Sequence, residues 1–150
     1  MKAESAPTRL SRLARQCYHR AESARRLRGR RERQLAAVLQ SLDTAPRVGV
    51  YALANPGHNP SIRSAAATAL AAHHRWDVAT TLHDTTGMTD PVLRPGLSQA
   101  LRRLARDEIH GLVMVSRTDI TAFDDLYGEV LDLIHHNGGF LALAHPETTP

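Results

Sequence analysis

The chain has 150 residues, enough for one domain with an appendage, and only 4% are aromatic, so its core must be built from Leu, Val, Ile and Ala. No apolar run approaches the ~20 residues of a membrane span, and the basic first thirty residues lack the apolar stretch of a secretory signal. Charge is uneven: residues 1–47 hold twelve Lys/Arg against four Asp/Glu and the rest hold seven against eleven, a basic arm on a mildly acidic body that points to a polyanion partner.

From Thr8 to about Leu42 there is no proline, and Leu10, Leu13, Cys17, Ala21, Ala24, Leu27, Leu35, Val38, Leu39 and Leu42 recur at helical spacing on one stripe. Gly29 costs about 1 kcal/mol against Ala and is a point where such a helix could bend. Around it cluster Arg25, Arg26, Arg28, Arg30, Arg31 and Arg33. Pro46 disfavours α geometry at the residue before it and ends the segment. Cys17 is the only cysteine, which excludes an intramolecular disulfide and fits a reducing, cytoplasmic setting.

Beyond Arg47 the pattern changes. Val48–Ala54 is a continuous apolar run expected of a strand covered on both faces. The turn-rich Asn55-Pro56-Gly57-His58-Asn59-Pro60 follows, and Ser61 is placed to cap an Ala-rich helix reaching His74. Asp77–Leu82 reads as a second strand, Asp84 to Pro95 as a long loop, and Leu97, Leu101 and Leu104 as a helix ending near Asp107. Leu112–Val115 is a third strand. Phe123, Leu126, Val130, Leu133 and Ile134 mark a helix that Asn137-Gly138-Gly139 stops with a left-handed glycine, and Phe140–Ala144 is a fourth strand. The last residues, from His145, are expected to fray.

Alternation of this kind predicts an α/β fold: a parallel sheet of about four strands flanked by helices. The expected units are a basic helical extension, 1–46, and an α/β domain, 47–150. Ligands in such sheets bind at the carboxyl ends of the strands, so the Asn55–Pro60 loop is the first place to seek a site. No glycine-rich phosphate loop is present, so no nucleotide cofactor is indicated. The pairs His73-His74 and His135-His136 match no metal-ligand spacing, and no metal is expected.

Val50-Tyr51-Ala52-Leu53-Ala54-Asn55 resembles the Tyr-Ala-Arg-Val-Ser signature that opens the catalytic domain of serine recombinases, the resolvase/invertase family. Leu82-His83-Asp84, Thr86-Gly87-Met88-Thr89 and Leu93-Arg94-Pro95-Gly96-Leu97 are similar to that family's Asp-x-x-Ser-Gly and Arg-Pro-Gly-Leu stretch. The resemblance spans about a hundred residues and implies the resolvase-like sheet, of flavodoxin-type strand order. In the family a serine attacks a DNA phosphodiester and an arginine cage stabilises the charge that develops.

In this chain the serine position aligns with Asn55 and the signature arginine with Leu53. The family's Asp-Arg-Leu-x-Arg motif aligns with Thr118-Asp119-Ile120-Thr121-Ala122, which leaves Arg94 as the surviving member of the cage. An amide is no nucleophile, and loss of one charge-stabilising donor alone can cost ~2.7–4 kcal/mol. The expectation is therefore a non-catalytic relative, no enzyme, whose affinity for nucleic acid comes from Arg25, Arg26, Arg28, Arg30, Arg31 and Arg33. DNA is expected as the partner, without sequence specificity, because no aromatic residues interleave with the arginines. The kinship implies an accessory role in a mobile element or plasmid, in maintenance or transfer. The alternatives are a protein–protein interaction module that self-associates through the N-terminal helix and, last, an active recombinase or an enzyme that uses the Asn55–Pro60 loop, where His58 could help hold an anion, with Arg94 on a phosphate-bearing ligand. Arg94 is also read as a residue kept for loop structure.

Overall fold

A computed structural model of the chain describes residues 8–147. The first helix, α1 (Arg9–Ser41), runs through Gly29 as one element of 33 residues, and the Thr8 hydroxyl caps it by accepting from the Ser11 amide. The strands β1 (Arg47–Leu53), β2 (Asp77–Asp84), β3 (Gly111–Met114) and β4 (Phe140–Leu143) alternate with α2 (Ser61–His73), α3 (Pro95–Ala105) and α4 (Asp124–His136). All four strands pair in parallel in the order β2-β1-β3-β4, the α/β architecture and strand order expected.

Alternation along the strands divides the core into two layers. Tyr51, Leu53, Leu112, Met114, Leu141 and Leu143 face α3 and α4 and pack on Leu97, Leu104, Leu131 and Ile134. Val48, Val50, Val113, Phe140 and Ala142 face the other way, onto Ala67 and Ala71 of α2 and onto Leu35, Val38 and Leu39 of α1. The carboxyl-terminal half of α1 is thus part of the layered core and lies beside the edge strand β4. At that edge it removes both apolar surface and an open strand border from solvent.

Three local expectations change. Ser61 is the first residue of α2 and not its cap; the Asn59 side chain accepts from the Ser61 amide instead. The loop after Asp84 contains a short 3₁₀ turn, Pro91–Leu93, that the Asp90 carboxylate caps through the Val92 amide. Residues 145–147 are held, not frayed: the His145 amide donates to the Val115 carbonyl and Glu147 is buried. Residues 148–150 of the expected frayed segment lie outside the described residues. The glycine stop of α4 is as expected, with Gly138 at φ +74°. No described helix is long and apolar enough to cross a membrane.

Candidate functional site

The strand order reverses between β1 and β3, and there the loops leaving the two strands diverge and open a cleft at their carboxyl ends. This cleft, about 390 Å³, is lined by Leu53, Asn55, His58, Arg63, Met88, Thr118 and Asp119, among others. Its floor is organised by Asp119, 1% exposed, at the end of a 3₁₀ turn spanning Arg117–Asp119. That carboxylate accepts from the amides of Leu53, Val115 and Ser116 at 3.1–3.2 Å. It also takes both prongs of the Arg63 guanidinium, Nε and Nη2, each at 2.8 Å. The hydrogen bond to Asp119 holds the Arg63 guanidinium above its ordinary pKa. Arg63 Nη2 also donates to the Ser116 hydroxyl at 3.1 Å, and that hydroxyl shares a 2.6 Å hydrogen bond with Thr118. The cleft therefore presents a guanidinium already paired with the Asp119 carboxylate, together with the Asn55 amide and the His58 imidazole.

A second cluster braces the loop after β2. Asp84 accepts from the amides of Gly96 and Leu97 in the first turn of α3 and from the Tyr51 hydroxyl. Burial first, then the Asp84 hydrogen bond, push the Tyr51 phenol well above its ordinary pKa, so it stays a donor. Gly96 lies so close to β2 that a Cβ there would stand 2.4 Å from the His83 carbonyl oxygen. Arg94 is 1% exposed and is not among the residues that line the cleft. Its Nη1 donates to the Asp119 carbonyl and its Nη2 to the carbonyls of Thr89 and Ile120, at 2.6–2.9 Å. The fork ties the loop to the turn that carries Asp119.

The six clustered arginines of α1 separate by face. Arg31, 5% exposed, donates through Nε and Nη2 to Glu147 at 2.6 and 3.0 Å, and the Tyr127 hydroxyl donates to the same carboxylate at 2.8 Å. Arg30 pairs with Asp132 and also reaches the Gly128 carbonyl on α4, while Arg28 pairs with Glu32 along its own helix. Arg25, Arg26 and Arg33 are exposed. The Ser23 hydroxyl donates to Asp124 at the start of α4, so the body ends near this level of α1. Residues 8–21 are exposed throughout and carry α1 past the end of the sheet that holds the cleft.

No protein-family model matches the sequence, and no curated protein matches it either. The architecture does match solved structures. The C-terminal catalytic domain of ISC1926 TnpA, an IS607-like serine recombinase, aligns with a TM-score of 0.60 at 14% identity, over 67% of this chain and 71% of that one. The N-terminal catalytic domain of TP901-1 integrase aligns with a TM-score of 0.57 at 17% identity, over 65% and 77%. A serine recombinase from Sulfolobus solfataricus gives 0.52 at 14%, over 67% and 71%. The fold is that of a serine recombinase catalytic domain.

On this recombinase fold the residues singled out in the sequence fall into three places. Leu53, Asn55, His58, Thr118 and Asp119 converge on the cleft. Arg94, read either as an anion ligand near His58 or as a residue kept for loop structure, is committed to the backbone carbonyls of Thr89, Asp119 and Ile120, in keeping with the second reading. Ala122 lines a different groove, between α1 and the start of α4. Of the arginine cluster, Arg31 leaves the expected nucleic-acid face, because its charge is buried against Glu147. Two residues with structural weight escaped sequence reasoning. Arg63 left a faint signal as the one charged side chain in the Ala-rich α2. Glu147 left none, since it sits in a short polar terminus.

Proposed function

We propose that this chain is a non-catalytic, nucleic-acid-associated protein built on the recombinase fold. The observation that supports it best is the exposed run of α1 at the cleft end of the sheet. Arg9, Arg12, Arg15 and Arg20 occur there with no acid between residues 9 and 21. At 3.6 residues per turn, Arg15, Arg26 and Arg33 share the outer line of the helix. That geometry suits phosphate contact along a backbone rather than base reading.

The cleft supports the non-catalytic half of the reading. Asn55 supplies no nucleophile, and the arginine that lines the cleft, Arg63, is engaged by Asp119. The buried acid also argues for setting the family's Asp-Arg-Leu-x-Arg motif one residue later than the sequence suggested. Asp119 then takes the acid's place, and Ile120 and Phe123 take the places of the two arginines. Among the structures of like fold are an integrase catalytic domain and the first open reading frame of transposon ISC1904, which favours an accessory role in a mobile element or plasmid.

Fluorescence anisotropy with a labelled duplex, over a salt series, tests the main reading. Replacing Arg15, Arg26 and Arg33 by Ala should lower the magnitude of the slope of log K against log[salt] by about 0.9 for each phosphate no longer neutralised. Arg31→Met should leave the slope unchanged. A duplex affinity independent of salt, or unaltered by the triple substitution, would overturn the proposal. Asn55→Ser should not restore strand cleavage, and a supercoiled-plasmid assay showing nicking by that variant would overturn the non-catalytic reading.

A second reading, self-association through α1, rests on the exposure of Leu10 (78%), Leu13 (48%) and Tyr18 (59%) on the projecting segment. An isolated helix gains nothing from such side chains in water.

A further inference from the structure

We infer that the projecting segment of α1 docks into an acidic, apolar groove on a second copy of this chain. The inference rests on the self-association reading and names the surface that receives the helix. The groove, about 620 Å³, lies between the 3₁₀ turn Pro91–Leu93 and α4. Val92, Leu126 and Leu133 supply apolar lining, while Asp90, Glu129 and Asp132 supply acid, and no Lys or Arg lines it. Val92 is 49% exposed, Leu133 40%, and the adjoining Leu93 76%. Exposed apolar side chains gathered at one groove mark an interaction surface.

The projecting segment has the complementary chemistry. Leu10, Leu13 and Cys17 stand at i, i+3 and i+7 on one face, the spacing with which an amphipathic helix enters a groove. Arg9 and Arg20 border that face on one side, Arg12 and Arg15 lie toward the back of the helix, and residues 9–21 hold four arginines and no acid. That charge disfavours direct pairing of two such helices, since like charges would meet along the seam. It favours a wall carrying Asp90, Glu129 and Asp132, of which Asp132 already pairs with Arg30 of its own chain. Length agrees as well: twelve helical residues span about 18 Å, and the α4 stretch Leu126–His136 spans about 16 Å.

Area decides how the contact closes. One such helix in one groove buries roughly 400 Å² on each side, below the ~1,200 Å² of total area found in stable specific interfaces. A two-fold arrangement, each helix in the other chain's groove, doubles the total to roughly 1,600 Å² and leaves no unfilled groove to propagate a filament. Arg15, Arg26 and Arg33 remain on the outer line, so the dimer keeps the surface proposed to meet nucleic acid.

Light scattering of the nuclease-treated full chain at low ionic strength tests this. Twice the chain mass is expected, falling toward a monomer as salt rises. Two variants separate the parts: Leu10→Gln with Leu13→Gln, and Glu129→Arg with Leu133→Asp. Both alter exposed positions, and circular dichroism verifies that they fold. Each should be monomeric alone, while an equimolar mixture should regain weak association, because one intact helix then meets one intact groove. A monomeric parent chain overturns the proposal. So does a groove variant that stays dimeric while the helix variant does not, which would instead indicate helix–helix pairing and leave self-association standing. Masses that grow beyond two chains overturn the two-fold closure. Duplex anisotropy on the same variants reads the nucleic-acid surface separately and should be little changed in the groove variant's monomer.

Discussion

Arg31→Met removes one member of the most deeply buried ion pair of the described residues. The Arg31 and Glu147 side chains are 6% and 0% exposed, and the pair ties α1 to the chain's other end, with Tyr127 as third member. Without the guanidinium, the Glu147 carboxylate keeps only the Tyr127 hydroxyl and its own backbone amide as donors and no opposite charge. Breaking a buried pair from one side costs about 3–5 kcal/mol, a large share of the 5–15 kcal/mol that holds an ordinary domain folded. At about 2–4 °C per kcal/mol for a chain of this size, the melting temperature should fall by roughly 6–20 °C. Urea unfolding followed by circular dichroism measures it. The double substitution Arg31→Met with Glu147→Leu should recover most of the loss, because it leaves no unpaired charge behind. A single variant within 1 kcal/mol of the parent chain, or a double variant no better than the single, would contradict this account of the pair.

The same pair sets a pH dependence. Burial alone would push the Glu147 carboxyl up, but the Arg31 hydrogen bonds and charge, with the Tyr127 hydroxyl, outweigh it and hold it below its ordinary value of 4.5. Its contribution is therefore present above pH 4.5 and lost as pH falls through the depressed folded value, so the parent's advantage over the double variant in urea should shrink on acidification. Gly96→Ala drives a methyl into the His83 carbonyl and should cost about 1–3 kcal/mol by thermal unfolding. Arg94→Lys keeps the charge but loses the fork that reaches three carbonyls; a loss of about 2 kcal/mol is expected, and near-parent stability would show the fork to be dispensable.

The stretch from Asp84 to Leu97 carries the resemblance to recombinases, and the structure gives its residues a physical cause. Asp84 caps α3, Gly96 permits that helix to meet β2, and Arg94 pins the loop to the turn before Ile120. These are requirements of the fold and say nothing by themselves about cleavage. The arginine cluster was legible as composition but not as function. Arg31 sits four residues after Leu27 and four before Leu35, on the apolar stripe itself, and that periodicity was the available sign that it faces inward. Its partner lies 116 residues away, beyond the reach of any local pattern.

The four strands, the three helices between them, the long first helix and the place of the Asn55 loop all follow from the order of residues alone, because periodicity and turn chemistry are local. Which charges are free to act is settled by the folded chain. Folding paired Arg63 with Asp119, turned Arg94 onto carbonyls and buried Arg31 against Glu147, while leaving Arg25, Arg26 and Arg33 in water. A charge acts according to its partner and its solvent exposure, and both are set by residues distant in the chain.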